Sequence, residues 1–141
     1  MRLSRLLEER TVATIPGRCG LREAATRMRE LRIGSLLVMD DSQVAGLLTE
    51  PEVVDAFARH GADAERLTVA QVMRPDAPSC QLDDTLEHVM PAMTATGCRY
   101  VVVYHGPELV GLLSIGDVVK RRLAELEQEA RLADSFLLWS R

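Results

Sequence analysis

The sequence predicts an α/β protein made of two copies of a strand, helix, strand, strand, helix unit, the second ending in an extended helix. Three observations predict it: an internal repeat, short β-rich runs alternating with amphipathic stretches, and an apolar seam that runs past the second copy. Sliding the 141-residue chain by 65 residues lays Leu36-Leu37-Val38-Met39 on Val101-Val102-Val103-Tyr104, and Val44-Ala45-Gly46-Leu47-Leu48-Thr49 on Leu109-Val110-Gly111-Leu112-Leu113-Ser114, without a gap. The same register pairs Leu21 with Leu86, Met28 with Met93, and Val53-Val54 with Val118-Val119. Copies of this length exceed solenoid units and are too short to stand comfortably alone, so they are expected to pack as a pseudo-twofold pair.

Within the first copy, Val12-Ala13-Thr14-Ile15 alternates and is closed by Pro16-Gly17, the pattern of a strand and its turn. Gly20 to Arg32 carries apolar residues at Leu21, Ala24, Ala25, Met28 and Leu31, the stripe of an amphipathic helix. Ser35 to Met39 and Val44 to Leu48 are β-rich and separated by Asp40-Asp41-Ser42-Gln43, so a hairpin is expected. A second helix begins at Thr49 and ends near His60-Gly61, where glycine suits the C-cap. The second copy repeats this order with strands at Cys80–Leu82, Tyr100–Tyr104 and Leu109–Leu113 and a first helix over Asp83–Thr96. Pro91 falls inside that helix and is expected to kink or shorten it. The boundaries are 1–66 for the first copy, 67–125 for the second and 126–141 for a C-terminal helical extension.

Composition narrows the function classes. With 47% hydrophobic and 27% charged residues the chain is globular, and a net charge of −4 lacks the basic stripe that nucleic acid requires. No apolar run approaches the ~20 residues of a membrane-spanning helix, and Met1 to Glu9 turns acidic before any signal-like apolar region, so a cytoplasmic protein is expected. Cys19, Cys80 and Cys98 are odd in number and contain no C-x-x-C, while His60, His88 and His105 lack ligand spacing. Neither a disulfide framework nor a metal site is expected. Eight arginines fall before residue 33, and Asp40 to Glu65 is acidic apart from Arg59, a distribution that exposed helix faces commonly carry. No nucleophile elbow or phosphate loop is present, so an enzyme is not expected.

Three segments carry a resemblance: Ile33-Gly34-Ser35-Leu36-Leu37-Val38, Val69-Ala70-Gln71-Val72-Met73, and Val110-Gly111-Leu112-Leu113-Ser114-Ile115-Gly116-Asp117-Val118-Val119. In order, spacing and duplication they resemble the CBS-domain family, and from about Leu3 to Glu129 the chain resembles a stand-alone CBS pair, or Bateman module. The Val69–Met73 segment looks like the short helix that introduces the second motif. The resemblance implies βαββα motifs paired about a pseudo-twofold, with clefts between them for adenosyl compounds such as AMP, ADP, ATP, NAD or S-adenosylmethionine. It also implies dimerisation into a flat disk, no required cofactor, and an unidentified protein that the module regulates.

The family holds its ligands through G-x-x-[ST]-x-x-D, which Gly111 to Asp117 matches fully. A carboxylate in the first turn of a helix can accept both ribose hydroxyls, and the helix N-terminus favours a phosphate. Ser114 and Asp117 are therefore the leading candidates, although [ST]-x-x-[DE] also describes a capping box. In the first copy Thr49 is followed by Pro51 and Glu52, which departs from the pattern. That sequence favours capping, so Thr49 and Glu52, with Thr14 and Ile15, are assigned to a second, weaker site. By resemblance, Thr14-Ile15 and Ser79-Cys80 offer strand groups to an adenine edge, and Arg99-Tyr100 stands where a basic pair precedes the central strand. Arg99 is either a phosphate ligand or a solvated strand-end cation, and Tyr100 a core residue or a stacking platform. Lys120, the single lysine, is either a phosphate contact or a surface residue.

Beyond the motif, Val119, Leu123, Leu126, Ala130, Ala133 and Leu137 recur at alternating spacings of four and three, a heptad-like seam. Phe136-Leu137-Leu138-Trp139 then leaves four large apolar residues to cover, and a homodimer is expected to bury them. The function expected is thus a non-catalytic adenosyl sensor that signals to a partner protein. The alternative is a dimerisation or protein-interaction module with no bound nucleotide.

Overall fold

In the computed structural model the described residues are Leu3, Leu7 and 12–139, with side chains described as far as Leu137. The chain forms two compact units, residues 10–77 and residues 1–9 together with 78–141.

The unit of residues 10–77 is built on a three-stranded sheet in the order β1 (Thr14–Pro16), β2 (Ser35–Asp40), β3 (Gln43–Thr49). β1 runs parallel to β2, and β2 antiparallel to β3. Pro16 is the last residue of β1 rather than the turn after it, which an edge strand tolerates because proline's missing N–H need not face a neighbour. Two helices, α1 (Leu21–Leu31) and α2 (Glu50–His60), pack on the sheet. Leu21, Ala24 and Met28 bury one stripe of α1 in a core that includes Ile15, Leu36, Val38 and Leu48. α1 ends at Arg32 in the left-handed conformation, φ +54°. The β2–β3 turn holds Asp41 at the same φ.

The other unit repeats these elements at the predicted offset: β4 (Ser79–Gln81), α4 (Leu86–Thr96), β5 (Tyr100–His105), β6 (Glu108–Ser114) and α5 (Ile115–Trp139). Even irregularities recur. The β2–β3 register slips between Val38 and Met39, and that of β5–β6 between Val103 and Tyr104, so Ala45 and Val110 are the extra residues of matching bulges. The two left-handed positions recur as Gly97 and Gly106. Pro91 does not shorten its helix: α4 has 11 residues, as α1 does. Leu86, Val89 and Met93 are buried in the core, and that docking outweighs the single backbone bond proline removes.

The expected introductory helix is placed differently. α3 (Val69–Val72) belongs by sequence to the second copy and in space to the unit of residues 10–77. Backbone bonds hold it there: Val69 N to Cys19 O at 2.8 Å, Ala70 N to Gly17 O at 2.9 Å, and a reciprocal pair between Leu47 and Arg74 at 2.9 and 2.8 Å. The counterpart in the other unit includes Leu3 and Leu7, buried with Leu86, Val89, Val101, Val103 and Leu113. Each unit is thus completed by residues from the start of the other copy.

Two substitutions test this packing. A Cβ on Gly46 would stand 2.4 Å from Arg74 O and 2.7 Å from Met73 Sδ, so Gly46→Ala is expected to destabilise the protein by about 2 kcal/mol in denaturant titration. Arg32→Gly, which gives the first copy the glycine its repeat already has at 97, is expected to stabilise it by ~1 kcal/mol.

Candidate functional site

The last residue of each unit's third strand is fixed by the helix that follows it. In the unit of residues 78–141, Ile115 N donates to Arg99 O at 2.8 Å, closing β6 onto the residue before β5. Tyr100 lies opposite Ser114 in the ladder. The Ser114 hydroxyl donates to Asp117 Oδ2 at 2.5 Å and accepts from Asp117 N at 3.1 Å. Both residues are half-buried, Tyr100 likewise, while Arg99 and Lys120 are exposed. The structure therefore gathers Arg99, Tyr100, Ser114 and Asp117 at one sheet end, with Lys120 one turn along α5. A hydroxyl, a carboxylate and the N-terminus of a 25-residue helix meet there, beside the backbone of Arg99. Such a set can bind a diol and an anion together.

Ser79 and Cys80 are not part of this group. Ser79 is opposite Val102 and Cys80 opposite Val103, on the far side of β5 from β6. At ~4.8 Å per strand and ~3.3 Å per residue, Ser79 lies roughly 12 Å from Ser114. Cys80 packs against the core, and burial, aided by the negative charge of Asp84, pushes its thiol up to about 11. Cys19 is also raised, chiefly by burial, and all three cysteines are free thiols.

The first copy closes its corresponding corner. Glu50 N donates to Gly34 O at 3.1 Å, the equivalent of the Arg99 bond. Thr49 is buried and caps α2 in a complete capping box, its N–H donating to Glu52 Oε2 at 2.9 Å and its hydroxyl to the same oxygen. Arg74 Nε stands 3.8 Å from the other Glu52 oxygen, with both side chains largely buried. Glu52 is therefore engaged on both oxygens by its own unit. Thr14 and Ile15 lie elsewhere, lining a cleft of about 580 Å³ with Pro16, Met39, Asp40 and Asp41 among its walls. Neither Thr49 nor Glu52 lines it. The Thr14 carbonyl accepts a 2.8 Å bond from Arg27 Nη1.

Sequence reasoning missed Arg74 and Arg27. Arg27 is visible as a polar residue on a helix beside a strand, but Arg74 reaches Glu52 only because α3 folds back onto the first copy, and no local pattern signals that. Among the described residues no cluster of three or more His, Cys, Asp or Glu is placed to hold a metal. Among them, too, no helix is long and apolar enough to cross a membrane.

Two outcomes follow from these environments. Glu52→Ala removes half a capping box and the ion pair with Arg74, and is expected to cost about 1–2 kcal/mol in chemical denaturation. The Cys80 thiol ionises in the unfolded chain near 9.0 and in the folded chain near 11. The folded state therefore holds that proton more tightly, and stability should fall as pH rises through this window. Cys80→Ala should flatten that slope in melts recorded at alkaline pH.

Comparison with known proteins agrees with the geometry. The CBS domain model matches residues 7–59 and again 69–124. The chain is 29% identical over 103 residues to an uncharacterized 17.7 kDa protein of Acidianus ambivalens, covering 72% of this chain but only 61% of that protein's length. It is 24% identical over 113 residues to the CBS domain-containing protein YhcV of Bacillus subtilis, covering 80% of each. The CBS-domain protein ATU1752 of Agrobacterium tumefaciens superposes with a TM-score of 0.82 at 34% identity, over 86% of this chain and 99% of that one. With both repeats matched, and with the strand order and helix junctions of each copy agreeing, the chain belongs to the CBS-domain family as a tandem pair of its motifs.

Proposed function

We propose that the protein is a regulatory module that binds an adenosyl compound, among AMP, ADP, ATP, NAD and S-adenosylmethionine, without transforming it. It signals that binding to a partner protein and works as a homodimer. The observation that carries this reading is the Ser114–Asp117 pair, half-buried at the start of α5 and flanked by Arg99 and Tyr100. Asp117 accepts ribose hydroxyls, Arg99 meets phosphate, and the amides opening α5 add their dipole, while Lys120 is a surface residue of α5. Tyr100 supplies an apolar surface. Ser79 and Cys80 serve through their strand's backbone, because the Cys80 side chain is turned to the core.

The first copy's corner is the weaker site, since Arg74 and the Thr49 cap already satisfy Glu52. Thr14 and Ile15 contribute to binding from their own cleft. Exposed apolar residues on α1 and α2, among them Leu31, Val54 and Phe57, favour a second reading, an interaction module in which no nucleotide is bound.

Titration calorimetry and thermal shift with those five ligands separate the readings, because a ligand of the folded state stabilises it by RT ln(1 + [L]/Kd) and so raises the melting temperature. Binding by one of them is expected. Asp117→Ala should weaken it by about ten- to a hundredfold, the loss of one or two hydrogen bonds to a charged group, and Glu52→Ala should leave the affinity within about twofold. Silence from all five ligands would favour the interaction module. Abolition by Glu52→Ala with Asp117→Ala intact would reverse the assignment of the sites.

A further inference from the structure

The outer half of α5 presents its side chains to solvent. From Leu126 to Leu137 every residue is exposed, and Val119 and Leu123 before them are 51% and 56% exposed. Most of a helix's stability comes from the tertiary packing of its apolar face. Among the exposed residues the predicted seam carries Leu126 at 45% and Leu137 at 62%, with Phe136 beside it at 74% exposure, and Leu132 at 64% lies off the seam. The side chain of Trp139 lies outside the described residues.

Resting on the dimer reading above, we propose that α5 pairs with α5 of a second copy as an antiparallel two-helix coil whose twofold axis passes at the level of Gln128. The order of residue sizes along the seam points to this occupant and this register. About that axis Val119 meets the partner's Leu137, Leu123 meets the partner's Ala133, and Leu126 meets the partner's Ala130. Every alanine is thus filled by a leucine, as interdigitated layers require. A parallel pair would instead stack Ala130 on the partner's Ala130 and Ala133 on the partner's Ala133, leaving two successive layers thin. It would also set Glu129 beside the partner's Asp134.

Charge fits the same arrangement at its ends. Lys120 flanks the partner's Asp134 on both sides of the axis, and the Arg122 stem faces the ring of the partner's Phe136. The axis itself brings Glu127 and Glu129 beside their own copies, which opposes pairing. Arg131, one turn from Glu127 on the same helix, offsets part of it. The seam spans roughly 27 Å at 1.5 Å per residue. Covering Val119, Leu123, Leu126, Phe136 and Leu137 on both chains removes on the order of 1,000 Å² from water, the threshold for a specific interface.

Sedimentation velocity on the full chain, combined with cysteine cross-linking, tests the pairing. Wild-type protein should be a dimer at micromolar concentration. Leu126→Glu, at an exposed position that leaves the fold intact by circular dichroism, should weaken the dimer by at least about a hundredfold. Val119→Cys alone and Leu137→Cys alone should not cross-link through the new thiol, while a mixture of the two should give a 119–137 bond, mapped by peptide mass so that Cys19, Cys80 and Cys98 are told apart. A dimer unchanged by Leu126→Glu would overturn the helix pairing and leave the dimer reading standing. Self-cross-linking of each single variant would overturn the antiparallel register. A monomeric wild-type protein would overturn both the pairing and the dimer.

Discussion

One backbone hydrogen bond sets the geometry on which each copy depends. The carbonyl just before the central strand accepts the amide that opens the helix after the third strand: Gly34 to Glu50 at 3.1 Å and Arg99 to Ile115 at 2.8 Å. It turns the chain from strand to helix at a fixed place. The last strand residue, Thr49 or Ser114, is thereby held where its side chain must cap the helix, and the third residue of the helix, Glu52 or Asp117, is brought back onto that cap. The bulges at Ala45 and Val110 let each hairpin reach that junction with its inner side chains still facing the core.

From this common junction the two corners diverge through one methylene and one arginine. Glu52 is long enough to reach the Thr49 N–H, and Arg74 stands against its second oxygen. Its charge is spent within the fold, on an element that crosses over from the other half of the sequence. Asp117 is shorter, and its Oδ2 accepts from the Ser114 hydroxyl, a group that can rotate and exchange partners.

Much of this was legible in the residues. The 65-residue register located every strand and main helix, because apolar side chains at period two and period 3.6 report directly on which faces are buried. Asp41 and Gly106 were visible as turn residues, and Thr49-Glu50-Pro51-Glu52 as a capping box, since those signals are local. Pro91 was readable as a helix breaker, but the burial of Leu86, Val89 and Met93 that keeps α4 at 11 residues was not. The crossover of α3 and of Leu3 and Leu7 was also hidden, because it depends on pairing between segments far apart in sequence. Arg74, which decides the fate of Glu52, was hidden for the same reason. Of the candidate site residues, those at one strand–helix junction could be grouped from sequence, whereas Ser79 and Cys80 stand on the opposite side of β5 and could not.

The central claim is that the junction of the second copy, not that of the first, receives the ligand. Amide chemical shifts measure it most directly, in ¹⁵N-labelled protein titrated with AMP, ATP, NAD and S-adenosylmethionine in turn. The account predicts that at least one of these moves the amides of Ser114, Ile115, Gly116 and Asp117 while those of Glu50, Glu52 and Val53 stay in place. Movement at Glu50 to Val53 with none at Ser114 to Asp117 would contradict it.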